Sequence, residues 1–245
     1  MQRVCPPPPG GEGLGERVFR LHPNIGIARR ASPQPSPPGR GTRTVRSYTI
    51  ALLLAVASLA LLNSPAQAGA QAEEKLSASV QTALASAIAD RSATKLVGDP
   101  QEVQAWLAEM STRLAKRMPD AEQRREFLVT VQYEASRAGL DPQLLLAVIN
   151  HESGFRKYAI SSASARGYTQ VMPFWVKLIG TSEHNLFHLR TNLRYGSVIL
   201  RHYLDIEKGD VVRALARYNG SLGKFDYPNA VLGLQENRWK WSSPK

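Results

Sequence analysis

The stretch DPQLLLAVINHESG, residues 141–154, decides the fold of the region around it. Asp141 is a typical helix N-cap, Pro142 favours the first turn, and Gly154 favours a helix end, so the stretch predicts one helix that stops at Gly154. The positions three, four and seven residues before Glu152 are apolar and form a stripe that faces a core: Ile149, Val148 and Leu145. Glu152 continues this stripe into the last turn of the helix.

A glutamate on a core-facing stripe is unusual, because charged side chains are seldom buried without a partner. Burial disfavours the ionised carboxylate, and the negative end of the helix dipole acts in the same direction. We therefore expect the pKa of Glu152 to be raised, as a general acid near neutral pH requires. The alternative is a half-exposed glutamate that caps a core helix, or one paired with a nearby arginine such as Arg156.

The amino-terminal region differs in composition from the rest of the chain. Residues 1–47 are rich in proline and glycine and lack apolar periodicity, so they are expected to be a disordered or mis-called leader. Residues 48–68 predict a signal peptide, with an apolar run at 50–62 and an A-x-A cleavage site ending at Ala68. Signal peptides normally begin shortly before their apolar run, so a translation start near Val45 is a further hypothesis. Cleavage near Ala68 predicts a periplasmic protein.

Charge and cysteine content narrow the function classes. The formal charge is +11, but eight arginines and two glutamates precede Gly69, so +5 remains on the predicted mature chain. That modest charge suits an anionic polymer and does not favour nucleic acid. The only cysteine is Cys5, so no disulfide, thiolate chemistry or lipid anchor after the signal peptide is expected.

Helical spacing dominates the rest of the chain, and no stretch alternates apolar and polar residues over a useful length. Apolar stripes and end signals predict further helices in five regions: 76–88, 100–119, 120–139, 193–203 and 210–218. The expected fold class is therefore all-α, with a boundary near Pro119.

Further motifs follow Glu152 in a fixed order: Ser161, Ala165–Pro173, Asn192–Gly196 and Ala214–Gly220. This series resembles the catalytic domain of the soluble lytic transglycosylases, lysozyme-like enzymes that cleave the glycan strands of peptidoglycan. The resemblance covers about residues 122–231. It implies a lysozyme-like catalytic domain at 120–245, with residues 69–119 as a short helical extension of unknown role.

The resemblance also implies a reaction. A glutamate at the position of Glu152 protonates the bond between N-acetylmuramic acid and N-acetylglucosamine. It then takes a proton from the muramyl 6-hydroxyl, which closes on C1 to give a 1,6-anhydro end. Most glycosidases use two carboxylates, but the next acidic residues, Glu183, Asp205 and Glu207, lie in none of the motifs. The single-glutamate scheme fits this chain better than hydrolysis, and it involves no cofactor or metal.

Five other positions receive roles from the resemblance. Ser161 would help to orient substrate and acid, while Gln170 and Met172 would line the groove. Tyr218 would hydrogen-bond the acid from across the groove, with Asn219 as its neighbour. Structural alternatives stay open: a serine in a local turn, a methionine in ordinary core packing, and a buried tyrosine hydroxyl with a structural partner.

Other motif positions point to structure or specificity. Asn192 is interpreted as a residue that holds backbone, and Gly196 as one that permits close helix packing. The chain departs from the usual family pattern at Ser164, where glycine is common, at Tyr168-Thr169 in place of Leu-Met, and at Asn219-Gly220-Ser221 in place of Asn-Ala-Gly. These departures are expected to affect the shape of the subsites.

Two remaining pairs have weaker interpretations. His184 and His188 lie four residues apart, but no H-E-x-x-H pattern accompanies them, so a metal site is not expected. Trp239 and Trp241 could stack on sugars, although a tail packed on the fold is the favoured interpretation. Two other functions stay open: a muramidase that hydrolyses the same bond, and a non-catalytic peptidoglycan-binding scaffold.

Overall fold

The computed structural model of the protein describes residues 71–243. These residues form eight α-helices, numbered here in chain order: α1 Ala78–Ala89, α2 Pro100–Leu114, α3 Ala121–Arg137, α4 Pro142–Glu152, α5 Pro173–Ile179, α6 Leu189–Ile206, α7 Val211–Tyr218 and α8 Asp226–Leu234. A π-helical turn, Gln235–Trp239, follows α8. Within this part of the chain, β pairing is limited to isolated bridges of Arg166 with Ile160 and Val171. The predicted all-α fold class is confirmed, whereas the predicted leader (1–47) and signal peptide (48–68) lie outside the described residues.

Aspartate caps fix the starts of four helices. Asp99, Asp120, Asp141 and Asp210 precede α2, α3, α4 and α7, and each carboxylate accepts a backbone N–H of the first turn. Such caps satisfy donors that a helix cannot pair internally. The sequence predicts all four starts correctly, because each aspartate stands directly before an apolar stripe.

Two helices have no counterpart in the sequence prediction. Helix α5 has only seven residues, so it is too short to show a stripe. Helix α8 contains Pro228 and Gly233, which are typical of loops. Proline is tolerated in α8 because it falls in the first turn, where its missing N–H has no helical partner.

A single hydrophobic core joins the helices, and α6 lies at its centre. Helix α6 packs against α1, α3 and α7, and its Leu193, Tyr195 and Ile199 are fully buried. Helix α1 also packs on α5, and α2 packs on α3, so both helices of the predicted extension share the core of the remaining helices. In the described part of the chain, no helix is long and apolar enough to cross a bilayer.

A buried ionic cluster around Glu134 of α3 ties α1 to this core. The fully buried Glu134 carboxylate pairs with Arg137 at 3.1 Å, Arg190 at 3.2 Å and Arg194 at 3.0 Å. Arg194 also donates to the carbonyls of Ile88 and Asp90, where α1 ends. Carbonyls at a helix end lack intrahelical donors, so the arginine satisfies them and fixes α1 in place.

Removing the Glu134 carboxylate should therefore destabilise the whole fold. We expect Glu134→Ala to lower the free energy of unfolding by about 3–5 kcal/mol, because it leaves buried guanidinium charge without its partner. Urea unfolding followed by circular dichroism measures the loss. The control is Asp205→Ala, which breaks the exposed Arg201–Asp205 pair of α6 and should cost about 0.5 kcal/mol or less. Equal losses in the two variants would contradict the role of the cluster.

Candidate active site

Helix α4 ends at Glu152, two residues before the predicted end, and the chain then reverses sharply. Gly154 and Phe155 both have positive φ, 58° and 69°. This turn drives the Phe155 ring into the core, where it packs edge-on against Phe127 at 5.9 Å and Trp239 at 5.3 Å. Positive φ is costly for a residue with a side chain, so burial of the Phe155 ring must stabilise the turn. The same turn leaves Glu152 at the last position of a buried helix.

The surroundings of Glu152 raise its pKa, as predicted. Burial raises the pKa of Glu152 to about 7, and the Tyr227 hydroxyl, which donates a 2.6 Å hydrogen bond to Oε1, acts in the opposite direction. Arg156 donates its Nε–H to the carbonyl of Ser153 at 2.9 Å and makes no recorded pair with Glu152. The alternative of a Glu152–Arg156 ion pair is therefore wrong. A carboxyl that titrates near neutrality can both donate and accept a proton.

The tyrosine that contacts the acid is Tyr227, not Tyr218. The Tyr218 hydroxyl donates to the carbonyl of Thr169 at 2.7 Å, which is the structural alternative considered for it. Tyr227 lies in the first turn of α8, which packs against α4, and its ring meets the His151 ring edge-on at 4.9 Å. Tyr218 still lies close enough for the charge of Glu152 to raise its pKa. Tyr227 could not be predicted as the partner of Glu152, because α8 has no apolar stripe and Tyr227 belongs to none of the quoted motifs.

Asn192 of α6 holds the loop that contains Arg166 and Thr169, as its interpretation as a backbone-holding residue predicts. Its Oδ1 accepts from the N–H of Thr169 at 2.9 Å, and its Nδ2 donates to the carbonyls of Arg166 and Leu186, both at 2.9 Å. A Cβ atom at Gly167 would lie 2.4 Å from Nδ2 of Asn192, so this glycine is required by close approach. The Asn192 amide therefore joins two loops to one helix.

Thr169 is fully buried. Its hydroxyl bonds to Oδ1 of Asn192 at 2.9 Å, and its side chain fills the space over Gly196, where a Cβ would lie 2.5 Å from Oγ1. Tyr168 is buried too and packs on Phe127 at 5.0 Å. The departure Tyr168-Thr169 thus changes the packing beneath the loop, and its expected effect on the shape of the subsites stays a prediction.

Ser161 lies in a tight turn spanning residues 161–165. Its Oγ accepts from the N–H of Ala165 at 3.1 Å, and its N–H donates to the carbonyl of Ala165 at 3.1 Å. Ser164 within this turn has φ of 69°, a conformation that glycine adopts without strain. The usual glycine at this position therefore has a conformational reason, and Ser164 keeps the same turn at a cost.

Gln170, Met172 and Asn219 lie around the same loop. Gln170 has φ of 50°, and its Nε2 donates to the carbonyls of Gly167 at 2.9 Å and Ala159 at 3.2 Å. Met172 is half-buried and caps α5, while the buried Asn219 ends α7. An unpredicted residue, Gln71, is buried beside them and accepts from the N–H of Met172 at 3.3 Å.

His184, Trp239 and Trp241 all make contacts within the fold. Nδ1 of His184 lies 2.8 Å from the Tyr195 hydroxyl, and no group of three or more potential metal ligands converges among residues 71–243. Trp239 is fully buried, and Trp241 packs against the core with its N–H bonded to Gln143. The carboxyl-terminal tail is therefore packed on the fold, and Trp239 presents no face to a sugar.

Sequence comparison agrees with this arrangement. The family model of the transglycosylase SLT domain matches residues 130–230, from the middle of α3 to the first half of α8. Residues 130–230 are thus similar to the transglycosylase SLT domain. The matched region contains both Glu152 and Tyr227, and its all-α architecture is the one that the resemblance to lysozyme-like transglycosylases predicts.

Curated relatives match parts of this chain. A transglycosylase of Enterobacteria phage PRD1 is 31% identical over 110 residues, which cover 42% of this chain and 40% of the phage protein. Membrane-bound lytic murein transglycosylase C of Actinobacillus pleuropneumoniae serotype 5b (strain L20) and of Haemophilus influenzae (strain PittEE) are each 43% identical over 49 residues. Those 49 residues cover 20% of this chain and 13% and 14% of the two relatives. The chain thus spans less than half the length of these relatives, and no solved structure matches it significantly.

The raised pKa of Glu152 predicts a pH-dependent penalty on stability. The folded protein binds the proton more tightly than the unfolded chain, so stability is full at acid pH and is lost as pH rises from about 4.5 through about 7. Glu152→Gln removes this loss and should be more stable than the unaltered protein at pH 8, by up to about 3 kcal/mol. Urea unfolding across this range measures the difference. The two proteins should coincide at pH 4, and parallel curves at all pH values would contradict a raised pKa.

Tyr227→Phe should raise the pKa of Glu152 above about 7, because it deletes the hydroxyl that favours the ionised carboxylate. Carbon-13 NMR of the Glu152 carboxyl, assigned by its loss in Glu152→Gln, measures the change. Tyr218→Phe is the matched control, since it deletes a buried hydroxyl bonded to Thr169 instead. A rise of equal size in the two variants would argue against a specific role for Tyr227.

Proposed function

We propose that the protein is a peptidoglycan lytic transglycosylase that cleaves the β-1,4 bond between N-acetylmuramic acid and N-acetylglucosamine and leaves a 1,6-anhydro end. The observation that carries the proposal is Glu152, a carboxyl with a pKa raised to about 7 and a tyrosine hydroxyl at 2.6 Å. The SLT domain and the transglycosylase relatives support the same class of reaction.

In this reaction Glu152 acts first as acid and then as base. The protonated carboxyl gives its proton to the glycosidic oxygen as the bond to C1 breaks, and the released strand leaves with a free 4-hydroxyl. The Glu152 carboxylate then takes the proton of the muramyl 6-hydroxyl, whose oxygen bonds to C1. The proton balance closes without water, and the acid is regenerated. A group with a pKa near the working pH suits both steps.

No carboxylate among the described residues 71–243 shifts the pKa of Glu152, which favours this scheme over hydrolysis. Glycosidases that use water or a nucleophile generally place two carboxylates across the bond. Glu183 is exposed, Asp205 pairs with Arg201, and Glu207 pairs with Arg213 and Arg217. The groups that shift the pKa of Glu152, within the described residues, are its buried surroundings and Tyr227. A muramidase that hydrolyses the same bond is the alternative that the product distinguishes.

A non-catalytic peptidoglycan-binding scaffold is a second candidate. A scaffold would have no use for a buried carboxyl whose ionisation costs stability. Selection for stability alone would favour an uncharged side chain at position 152, because a buried ionisable group without a counter-ion destabilises the fold. Retention of Glu152 together with its Tyr227 contact therefore supports catalysis.

The proposed site of action is the periplasm, reached through the signal peptide predicted at 48–68 and cleaved near Ala68. The glycan strands of peptidoglycan are the proposed partner. The net charge of +5 on the predicted mature chain suits this polymer, and nucleic acid is not proposed as a ligand.

Mass spectrometry of the muropeptides released from purified peptidoglycan tests the reaction. We expect products lighter by one water than the corresponding hydrolysed muropeptides, because the 6-hydroxyl replaces water at C1. Glu152→Gln should abolish release, since the amide keeps the shape of the side chain and cannot exchange the proton. Loss of one general acid–base group typically slows a reaction by about 100-fold or more.

Each alternative has its own outcome in this assay. Products with free reducing ends would identify a muramidase. Binding to peptidoglycan without any release would favour the scaffold. Release by a folded Glu152→Gln protein at an undiminished rate would remove Glu152 from the mechanism.

A further inference from the structure

The exposed Tyr158 and the half-buried Phe187 form an aromatic pair on the loops that follow α4 and α5. The ring of Tyr158, whose residue is 70% exposed, lies with its centroid 5.8 Å from that of Phe187, at an interplanar angle of 50°. Large aromatic side chains are usually placed where they bury most of their surface. We call Tyr158 and Phe187 the aromatic platform.

Two cations flank the platform. Nζ of Lys157 lies 5.4 Å from the Tyr158 ring centroid, and Cζ of Arg166 lies 6.0 Å from the Phe187 ring centroid. Neither side chain forms a recorded ion pair with any residue in the range 71–243. Residues 153–182 contain four lysines and arginines and no aspartate or glutamate. The surface around the platform is therefore apolar at its centre and positively charged at its sides.

The platform is fixed to the same loops that carry the predicted groove residues. Gln170 donates to the carbonyl of Ala159, next to Tyr158, at 3.2 Å. Asn192 binds the carbonyls of Arg166 and Leu186, so one amide holds both the Arg166 side and the Phe187 side of the platform. Exposed side chains on a braced backbone lose less conformational freedom on binding than side chains on a mobile loop.

We propose that the platform is a subsite for glycan that carries its peptide stems: the rings stack on a sugar face, and Lys157 and Arg166 bind carboxylates of the stem. This inference rests on the proposed function. Two aromatic side chains with lateral cations match a ligand that has an apolar face and nearby anions. They offer far less area than the roughly 800 Å² per partner of a stable protein interface.

Binding measurements on soluble strand fragments of matched length, with and without peptide stems, test the subsite. All proteins carry Glu152→Gln so that no fragment is cut, and calorimetry gives Kd. Tyr158→Ala with Phe187→Ala should weaken binding of both fragments, by about tenfold, because stacking on the sugar does not depend on the stem. Lys157→Gln with Arg166→Gln should weaken binding of the stem-bearing fragment alone and remove its sensitivity to salt.

Two control variants test whether the changes in Kd are specific to these residues. Lys95→Gln with Lys116→Gln removes two exposed cations elsewhere and should leave both Kd values unchanged. Tyr158→Ala alone alters a largely exposed side chain, so it reports on stacking even if Phe187→Ala disturbs the fold.

The outcomes separate the subsite from the reaction. Unchanged Kd values in the ring variants would overturn the subsite, and equal loss for both fragments in the charge variant would overturn the assignment of the cations to the stem. If the protein with Glu152 intact cleaves peptidoglycan but the binding differences are absent, only the proposed subsite is contradicted. If the expected binding differences are found but the protein with Glu152 intact does not cleave peptidoglycan, only the proposed reaction is contradicted.

Discussion

The hydrogen bonds of Asn192 hold the candidate active site together. The oxygen of this buried amide on α6 accepts hydrogen bonds from the N–H and the hydroxyl of Thr169. Its nitrogen donates to the carbonyls of Arg166 and Leu186. Thr169 in turn accepts the hydroxyl of Tyr218, so α7 is joined to the same point. A buried amide satisfied by backbone groups has little freedom to move, because each broken bond leaves a polar group without water. The loop that contains Arg166 and Thr169 is thus positioned by its hydrogen bonds to the core.

Two opposing effects, burial and a hydrogen bond from Tyr227, set the pKa of Glu152. Helix α4 places Glu152 where burial penalises its charge, and the Tyr227 hydroxyl offsets part of that penalty. A stronger set of donors would return the pKa of Glu152 towards its ordinary value and remove the proton that the proposed reaction needs at neutral pH. Removal of the Tyr227 hydroxyl would raise the pKa of Glu152 further, and the proposed reaction would then have no base for its second step. One tyrosine hydroxyl in otherwise buried surroundings gives an intermediate value near 7.

Local signals were sufficient to predict most of the fold but not the partner of the acid. Aspartate caps and apolar stripes act within one turn of helix, so Asp141 and the stripe before Glu152 predicted α4 and its burial correctly. The contact between Glu152 and Tyr227 joins residues 75 apart in the sequence. Helix α8 was not predicted, because it contains Pro228 and Gly233, which are typical of loops. Tyr218 and Tyr227 both approach Glu152, and only the packing of α8 on α4 decides which hydroxyl reaches the carboxylate. The structural roles of Ser164 and Thr169 were hidden for the same reason, because a positive φ and a contact over Gly196 are properties of the folded chain.

The packed unit that supports the site begins well before the matched SLT region. The family match starts at residue 130, yet Gln71 is buried beside Met172, and Glu74 pairs with Arg217 of α7 at 2.8 Å. The end of α1 is fixed by Arg194, whose charge is balanced by Glu134. Arg194 and Asn192 lie on the same helix, so α6 anchors both the end of α1 and the loop that contains Thr169. Residues 71–114 therefore act as part of the support of the site, although no residue of that segment belongs to the motifs that identify the domain.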